Sequence, residues 1–99
     1  MARRTRVTTW YARQFGRLIE FGSERSLAVA HTVHALTTAD HLPGPSDFAA
    51  IAKPVGRAWV RRVTGRNIWL WYRFNDAEVT LLTVTIEPPL PLGEKPYSG

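Results

Sequence analysis

Large apolar and β-branched residues alternate with polar residues in three runs along the C-terminal half of the chain, spanning residues 57–63, 68–74 and 78–86. The short segments between them, 64–67 and 75–77, are polar and contain Gly, Asn and Asp. Strict alternation favours strands, and such turn residues favour hairpins. The pattern therefore predicts an antiparallel meander of three strands.

The middle strand of this meander carries large side chains on both of its faces. Successive residues of a strand point to opposite sides, which gives two sets: Ile68, Leu70, Tyr72 and Phe74 on one face, and Trp69, Trp71 and Arg73 on the other. We expect the first set to pack against helices. The second set is then predicted to form an exposed outer face of aromatic and basic groups.

The N-terminal half favours helices after a short first strand within residues 3–10. An apolar stripe predicts a helix over about 11–21, and Ser23 is placed to cap a second helix that extends to about Thr38. Residues 42–46 have the composition of a loop, and residues 47–52 are predicted to form one helical turn.

These elements predict an α+β domain with the order β-α-α-β-β-β, in which two helices pack on one face of the three-stranded meander. The domain is expected to span residues 1–86. Residues 87–99 form a proline-rich C-terminal tail that cannot continue the sheet, because proline lacks the amide donor of a β-ladder.

The chain is basic, with a formal net charge of +5 that arises mostly from arginine. This favours a polyanionic partner, either nucleic acid or an acidic protein segment, although a genome rich in arginine codons would give the same composition. Cysteine is absent, which excludes disulfides and thiolate chemistry. No apolar run approaches the length of a membrane span, so we expect a soluble cytoplasmic protein without a membrane partner.

The segment from Lys53 to Val84 resembles the RelE/ParE toxin superfamily of bacterial toxin–antitoxin systems. The resemblance lies in three stretches: Lys53-Pro54 with Gly56, Ala58-Trp59-Val60-Arg61-Arg62-Val63, and Trp71-Tyr72-Arg73-Phe74 followed by Asn75-Asp76 and residues 79–84. It implies a toxin of a type II system, either an mRNA interferase-like enzyme or an inhibitor of DNA gyrase. A cognate antitoxin would neutralise the toxin. The implied assembly is a homodimer or a toxin–antitoxin hetero-oligomer.

The ribonucleases of this superfamily are metal-independent endoribonucleases, so the resemblance implies neither metal nor cofactor. They bind mRNA on the ribosome and need a base, an acid and cations that stabilise the phosphorane. Residue by residue, the resemblance assigns catalytic roles to Lys53, Arg61, Arg62 and Arg73. Arg61 and Arg62 are adjacent on a strand, so only one of them can face outward, and the inward one needs a carboxylate.

The chain also departs from the family pattern in two places. Trp69 stands where many members have an arginine, and the last strand ends in Glu87-Pro88-Pro89, where active members continue into basic residues and a tyrosine. An alternative is therefore a non-catalytic RelE/ParE-fold module that binds nucleic acid or protein. A phage-related interaction protein is a second alternative.

The candidate residues for binding nucleic acid or a partner protein are Trp69, Trp71, Arg66 and Tyr97. Tryptophans can stack on bases, and two exposed tryptophans beside arginines would suit an antitoxin or a second copy of the chain. The competing interpretation is that the first strand's edge, the proline-rich tail or a partner covers them. His31 and His34 have a spacing compatible with zinc, but a polar helix face is the expected role.

Overall fold

A computed structural model describes residues 2–91 of the chain. It contains two helices and five strands, with these bounds: β1 Arg4–Val7, α1 Thr9–Leu18, α2 Glu24–Thr38, β2 Phe48–Ala52, β3 Gly56–Arg62, β4 Trp69–Phe74 and β5 Glu78–Thr85. No helix within residues 2–91 has the length and apolar character needed to cross a membrane.

The five strands form one mixed sheet in the order β1-β5-β4-β3-β2. β1 runs parallel to β5, and each of the other neighbouring pairs is antiparallel. The structure confirms an α+β fold with two helices. The predicted order of elements is wrong in its count of strands, because the meander has four strands instead of three and β1 joins the same sheet.

The additional strand is β2, in the segment predicted to form a helical turn. Every second residue of β2 lies on the outer face of the sheet: Phe48, Ala50 and Ala52. β2 pairs with β3 over its whole length. Alanine favours helices in isolation. Here the pairing with β3 and the burial of Ala50 outweigh that local preference, as tertiary contacts often do.

Both helices begin at residues that cap them. The side-chain oxygen of Thr8 accepts a hydrogen bond from the Tyr11 amide at 3.1 Å, and that of Ser23 accepts one from the Ser26 amide at 3.2 Å. The predicted cap and bounds of α2 are confirmed. α1 begins and ends earlier than predicted, so that Phe21 lies beyond it and is 92% exposed.

The helices cover one face of the sheet and form what we call the helix-side core. Its buried members are Tyr11, Ile19, Val29, Leu36, Val63, Ile68, Leu70, Tyr72, Val79, Leu81 and Val84. Phe74 packs against them. The face of β4 predicted to meet the helices therefore does so.

A bulge in β5 adjusts which of its side chains enter this core. Trp71 lies opposite Thr83 while the next residue, Tyr72, lies opposite Leu81, so Leu82 is an extra residue in the ladder. Leu81 and Val84, three residues apart, consequently both face the helices, and Leu82 faces the other side.

The opposite face of the sheet holds a second apolar cluster, the outer-face core: Ala50, Ala58, Val60, Trp69, Trp71 and Leu82, with Phe48, Ala52 and Val55 packed against it. Trp69 and Trp71 do lie on this face, but they are only 6% and 2% exposed. The prediction of an exposed aromatic face is therefore wrong.

The first part of the proline-rich tail lies beside Trp71 and Ala50 of this core. Residues 86–90 line a cavity of about 400 Å³ together with Trp71 and residues 51–53 at the end of β2. Pro91 then forms an antiparallel bridge with Ala50. The Trp71 Nε1–H also donates a hydrogen bond to Thr85 Oγ1 at 3.1 Å. Residues 86–91, which we call the C-terminal strap, thus reach from β5 to the free edge of β2.

We expect Trp71→Ala to lower the free energy of unfolding by about 3–5 kcal/mol, because it removes a buried ring and leaves a cavity. Phe21→Ala, which removes an exposed ring, should change it by less than about 0.5 kcal/mol. Urea unfolding followed by circular dichroism measures both. Equal effects of the two substitutions would contradict the burial of Trp71.

Candidate functional site

The structure does not bring the four predicted catalytic cations together. Arg61 faces the helix side of the sheet, since it lies opposite Leu70, whereas Arg62, opposite Trp69, and Arg73 face the outer side. Arg62 lies opposite Trp69, and Arg73 is four residue steps further along β4, which corresponds to about 13 Å along the strand. Lys53 follows β2 and is exposed. These side chains do not surround a single phosphate position.

Arg73 is engaged with the backbone at one end of the sheet. Its Nη2 donates to the carbonyl oxygens of Val55 and Arg57 at 2.8 Å each, and its Nε donates to Arg57 O at 3.1 Å. The guanidinium therefore satisfies carbonyl groups at the connection between β2 and β3. This arrangement gives Arg73 a structural role.

Arg62 lies at the other end of the outer face, beside Trp69 and the backbone of Arg66, whereas the Arg66 side chain reaches Glu24 of α2, with Nη2 3.7 Å from Oε2. Arg62 donates to Arg66 O at 2.8 Å and to Asn67 Oδ1 at 3.1 Å, and its guanidinium carbon lies 5.6 Å from the Trp69 ring centroid. Gly65, with φ of 73°, allows the tight turn that aligns these groups. The cluster holds the β3–β4 turn. Tyr97, the remaining predicted binding residue, lies outside the described residues.

Arg61 forms a largely buried ion pair with Asp47. Arg61 Nε donates to Asp47 Oδ1 at 2.6 Å and Nη2 donates to Oδ2 at 2.8 Å, a bidentate pair. The Tyr72 hydroxyl and the Gly44 amide also donate to Oδ2, the latter at 2.8 Å. Of the two adjacent arginines, Arg61 is thus the inward one, and Asp47 is its carboxylate.

Burial and hydrogen bonding act in opposite directions on Asp47. Burial raises the pKa of its carboxyl group, but the hydrogen bonds from Arg61, Tyr72 and Gly44 outweigh burial and hold that pKa below its usual value. Burial, and then the hydrogen bond to Asp47, raise the pKa of Tyr72. Tyr72 therefore stays protonated near neutral pH and cannot serve as a base. It is the tyrosine on which the family resemblance rests.

Sequence reasoning missed Asp47, Gly44 and Tyr72 as members of a polar cluster. One feature of the sequence did indicate such a cluster: an arginine that faces inward needs a carboxylate partner. The chain offers only eight Asp and Glu residues for that role. Gly44 is needed because a Cβ at this position would collide with Arg61 Nη2. The partner itself could not be chosen from sequence, because the loop that carries Asp47 has no periodic pattern.

A groove lies between α2 and the Asp47 loop, which we call the Arg61 groove. Its volume is about 430 Å³, and it is lined by Ala28, His31, Thr32, Ala35, Pro45, Ser46, Arg61, Arg62, Val63 and Thr64. His34 is not part of this lining. Within residues 2–91, no three His, Asp or Glu side chains are grouped closely enough to hold a metal ion.

A second groove is apolar and lies beside the edge strand β1, which we call the β1 groove. Its volume is about 460 Å³, and its lining includes Val7, Tyr11, Phe15, Phe21 and Val33. Val7 and Phe21 are largely exposed, and Leu27 on α2 is a further exposed apolar side chain. Apolar surface of this kind is typical of protein-binding sites.

In comparisons with known proteins, no family model, curated protein or solved structure matches this chain.

We expect Asp47→Ala to lower the free energy of unfolding by about 3–5 kcal/mol, because it leaves Arg61 without its partner. Asp76→Ala, which changes an exposed turn residue, is the matched control and should stay within about 0.5 kcal/mol. Urea unfolding followed by circular dichroism distinguishes the two. An equally small effect at both positions would contradict the structural role of the Asp47–Arg61 pair.

The same pair predicts a dependence of stability on pH. Because the carboxyl pKa is lowered in the folded state, its contribution is complete above the unfolded pKa of about 3.9 and is lost as the pH falls through the lower folded value. Urea unfolding across this acidic range should show a shallower loss of stability for Asp47→Ala than for the unsubstituted protein. Parallel pH profiles would contradict the assignment.

Proposed function

We propose that the protein is the toxin of a type II toxin–antitoxin system, and that it inhibits growth by binding a macromolecular target without cleaving RNA. The order of its elements supports this proposal: a first strand, two helices and then an antiparallel meander that carries the residues of the RelE/ParE resemblance. Of the two activities that the resemblance implies, we propose inhibition of DNA gyrase and not cleavage of mRNA.

The positions of the predicted catalytic residues favour binding over cleavage. RNA cleavage by the ribose 2′-hydroxyl needs a base, an acid and cations around one phosphate. Arg61 is paired with Asp47 on the helix side, and Arg62 and Arg73 donate to backbone carbonyl groups at opposite ends of the outer face. The two tryptophans that would stack on bases, Trp69 and Trp71, are buried in the outer-face core.

The observation that carries the proposal is the exposed edge of β1 beside the β1 groove. β1 is one of the two edge strands of the sheet, and all four of its residues are exposed. An edge strand offers amide and carbonyl groups to an added strand, and the groove offers apolar contacts at Val7 and Phe21. Arg4 and Arg6 add positive charge. An acidic antitoxin segment with alternating apolar residues would fit this surface.

The growth effect is tested by inducing the chain in a bacterial host while mapping the 5′ ends of its mRNAs. We expect growth arrest with intact transcripts, together with loss of DNA supercoiling if gyrase is the target. Cuts at discrete codons would contradict the binding mechanism and restore the ribonuclease assignment. A host that grows normally would contradict the toxin proposal and favour the non-catalytic binding module.

The partner surface is tested with the product of an adjacent open reading frame, or with another acidic protein that relieves the arrest. We expect Arg6→Glu to slow association with it at low salt by about tenfold, because rim charges steer encounter. Phe21→Asp should weaken the complex by about 2 kcal/mol, because it places a charge in the apolar groove.

Arg57→Glu is the matched control for Arg6→Glu, since Arg57 is an exposed arginine on β3 at the other side of the sheet. Surface plasmon resonance measures the rates for all three variants. If Arg57→Glu and Arg6→Glu have equal effects, or Phe21→Asp has none, the partner does not bind at the β1 groove.

A further inference from the structure

Arg61 keeps unused hydrogen-bonding capacity after it pairs with Asp47. A guanidinium carries five N–H donors, and the pair uses Nε–H and one N–H of Nη2. Both N–H groups of Nη1 and the second one of Nη2 remain. One N–H of Nη1 and the remaining N–H of Nη2 are parallel along the other edge of the guanidinium, where they can donate to two oxygens of an anion as the first edge donates to Asp47.

The Nη1 end of this second edge is accessible. The side chain of Arg61 is 17% exposed whereas that of Asp47 is 0% exposed, so the arginine is the open member of the pair. Among residues 2–91, every buried side-chain nitrogen or oxygen atom has a hydrogen-bond partner. Arg61 Nη1, which has no hydrogen-bond partner among these residues, therefore lies at accessible surface, and the cavity that Arg61 lines is the Arg61 groove.

The surroundings of this groove suit a small anion. Within the described residues its lining contains no Asp or Glu, but it contains the Arg61 guanidinium and the hydroxyl-bearing residues Thr32, Ser46 and Thr64, whereas the Arg62 guanidinium is turned to the outer face. Asp47 holds Arg61 in a fixed orientation, which lowers the entropy lost when a ligand binds. The volume of about 430 Å³ lies in the range of small-molecule sites.

We propose that the Arg61 groove binds the phosphate group of a small phosphorylated ligand, such as a nucleoside monophosphate. The N–H groups along the free edge of Arg61 donate hydrogen bonds to two phosphate oxygens. The hydroxyls of Ser46 and Thr64 donate to the same phosphate. Phosphate suits this arrangement better than a carboxylate, because its additional oxygens can accept from the hydroxyls while two oxygens stay on the arginine.

The proposal is tested by titrating the ¹⁵N-labelled full chain with orthophosphate, a nucleoside monophosphate and acetate. We expect saturable shifts of the Ser46 and Thr64 amides with both phosphates and much weaker ones with acetate. Tighter binding of the monophosphate would identify a nucleotide as the ligand, whereas equal binding would identify free phosphate. Absence of saturable shifts with either phosphate, or equal shifts with acetate, would overturn the proposal.

Arg61→Lys keeps a positive charge beside Asp47 but removes the second edge, so the dissociation constant for phosphate should rise about tenfold or more. If this variant does not fold, Ser46→Ala combined with Thr64→Val replaces it, with a rise of similar size. His34→Ala is the control, since His34 lies on α2 but outside the groove. Unchanged affinity in the groove variants, or an equal loss in His34→Ala, would overturn the assignment.

Discussion

Large apolar side chains extend from both faces of β4, and the arrangement of the rest of the chain follows from the need to bury them. The helices cover Leu70, Tyr72 and Phe74 on one side. On the other side, Trp69 and Trp71 pack with smaller side chains of β2 and β3: Ala50, Ala58 and Val60. The bulge at Leu82 and the C-terminal strap complete this second core.

Burial on both faces changes the functional interpretation of the aromatic residues. A half-exposed sheet with tryptophans and arginines would suit single-stranded nucleic acid. A sheet with two cores leaves function to its edges and to the grooves beside its helices. The β1 groove and the Arg61 groove are two such places, and they differ in chemistry: one is apolar beside a strand edge, the other polar around a fixed arginine.

The sequence was sufficient for those features that depend on local periodicity. The strands β3 to β5, the capped helix α2 and the two faces of β4 all follow from spacing and turn residues. It was insufficient where distant contacts decide. β2 is a strand because β3 pairs with it, and the tryptophans are buried because they pack with residues of β2, β3 and β5.

The same distinction holds for the candidate site. Charge rules require a carboxylate for the inward one of two adjacent arginines, but only the fold shows that Arg61 is inward and that Asp47 meets it. The roles of Lys53, Arg62 and Arg73 were assigned by their positions in a motif. Motif positions do not specify which face or which end of the sheet a side chain occupies, and these residues prove to be dispersed.

The outer face of the sheet is a closed core and not a ligand-binding surface. The exchange of the indole N–H groups tests this burial directly. Hydrogen exchange at Nε1 of each tryptophan can be followed by NMR, with partly exposed Trp10 as the internal reference. We expect Trp71, which donates to Thr85, to exchange far more slowly than Trp10 and to keep its chemical shift when single-stranded RNA is added. Fast exchange at Trp71, or an RNA-dependent shift there, would contradict the account.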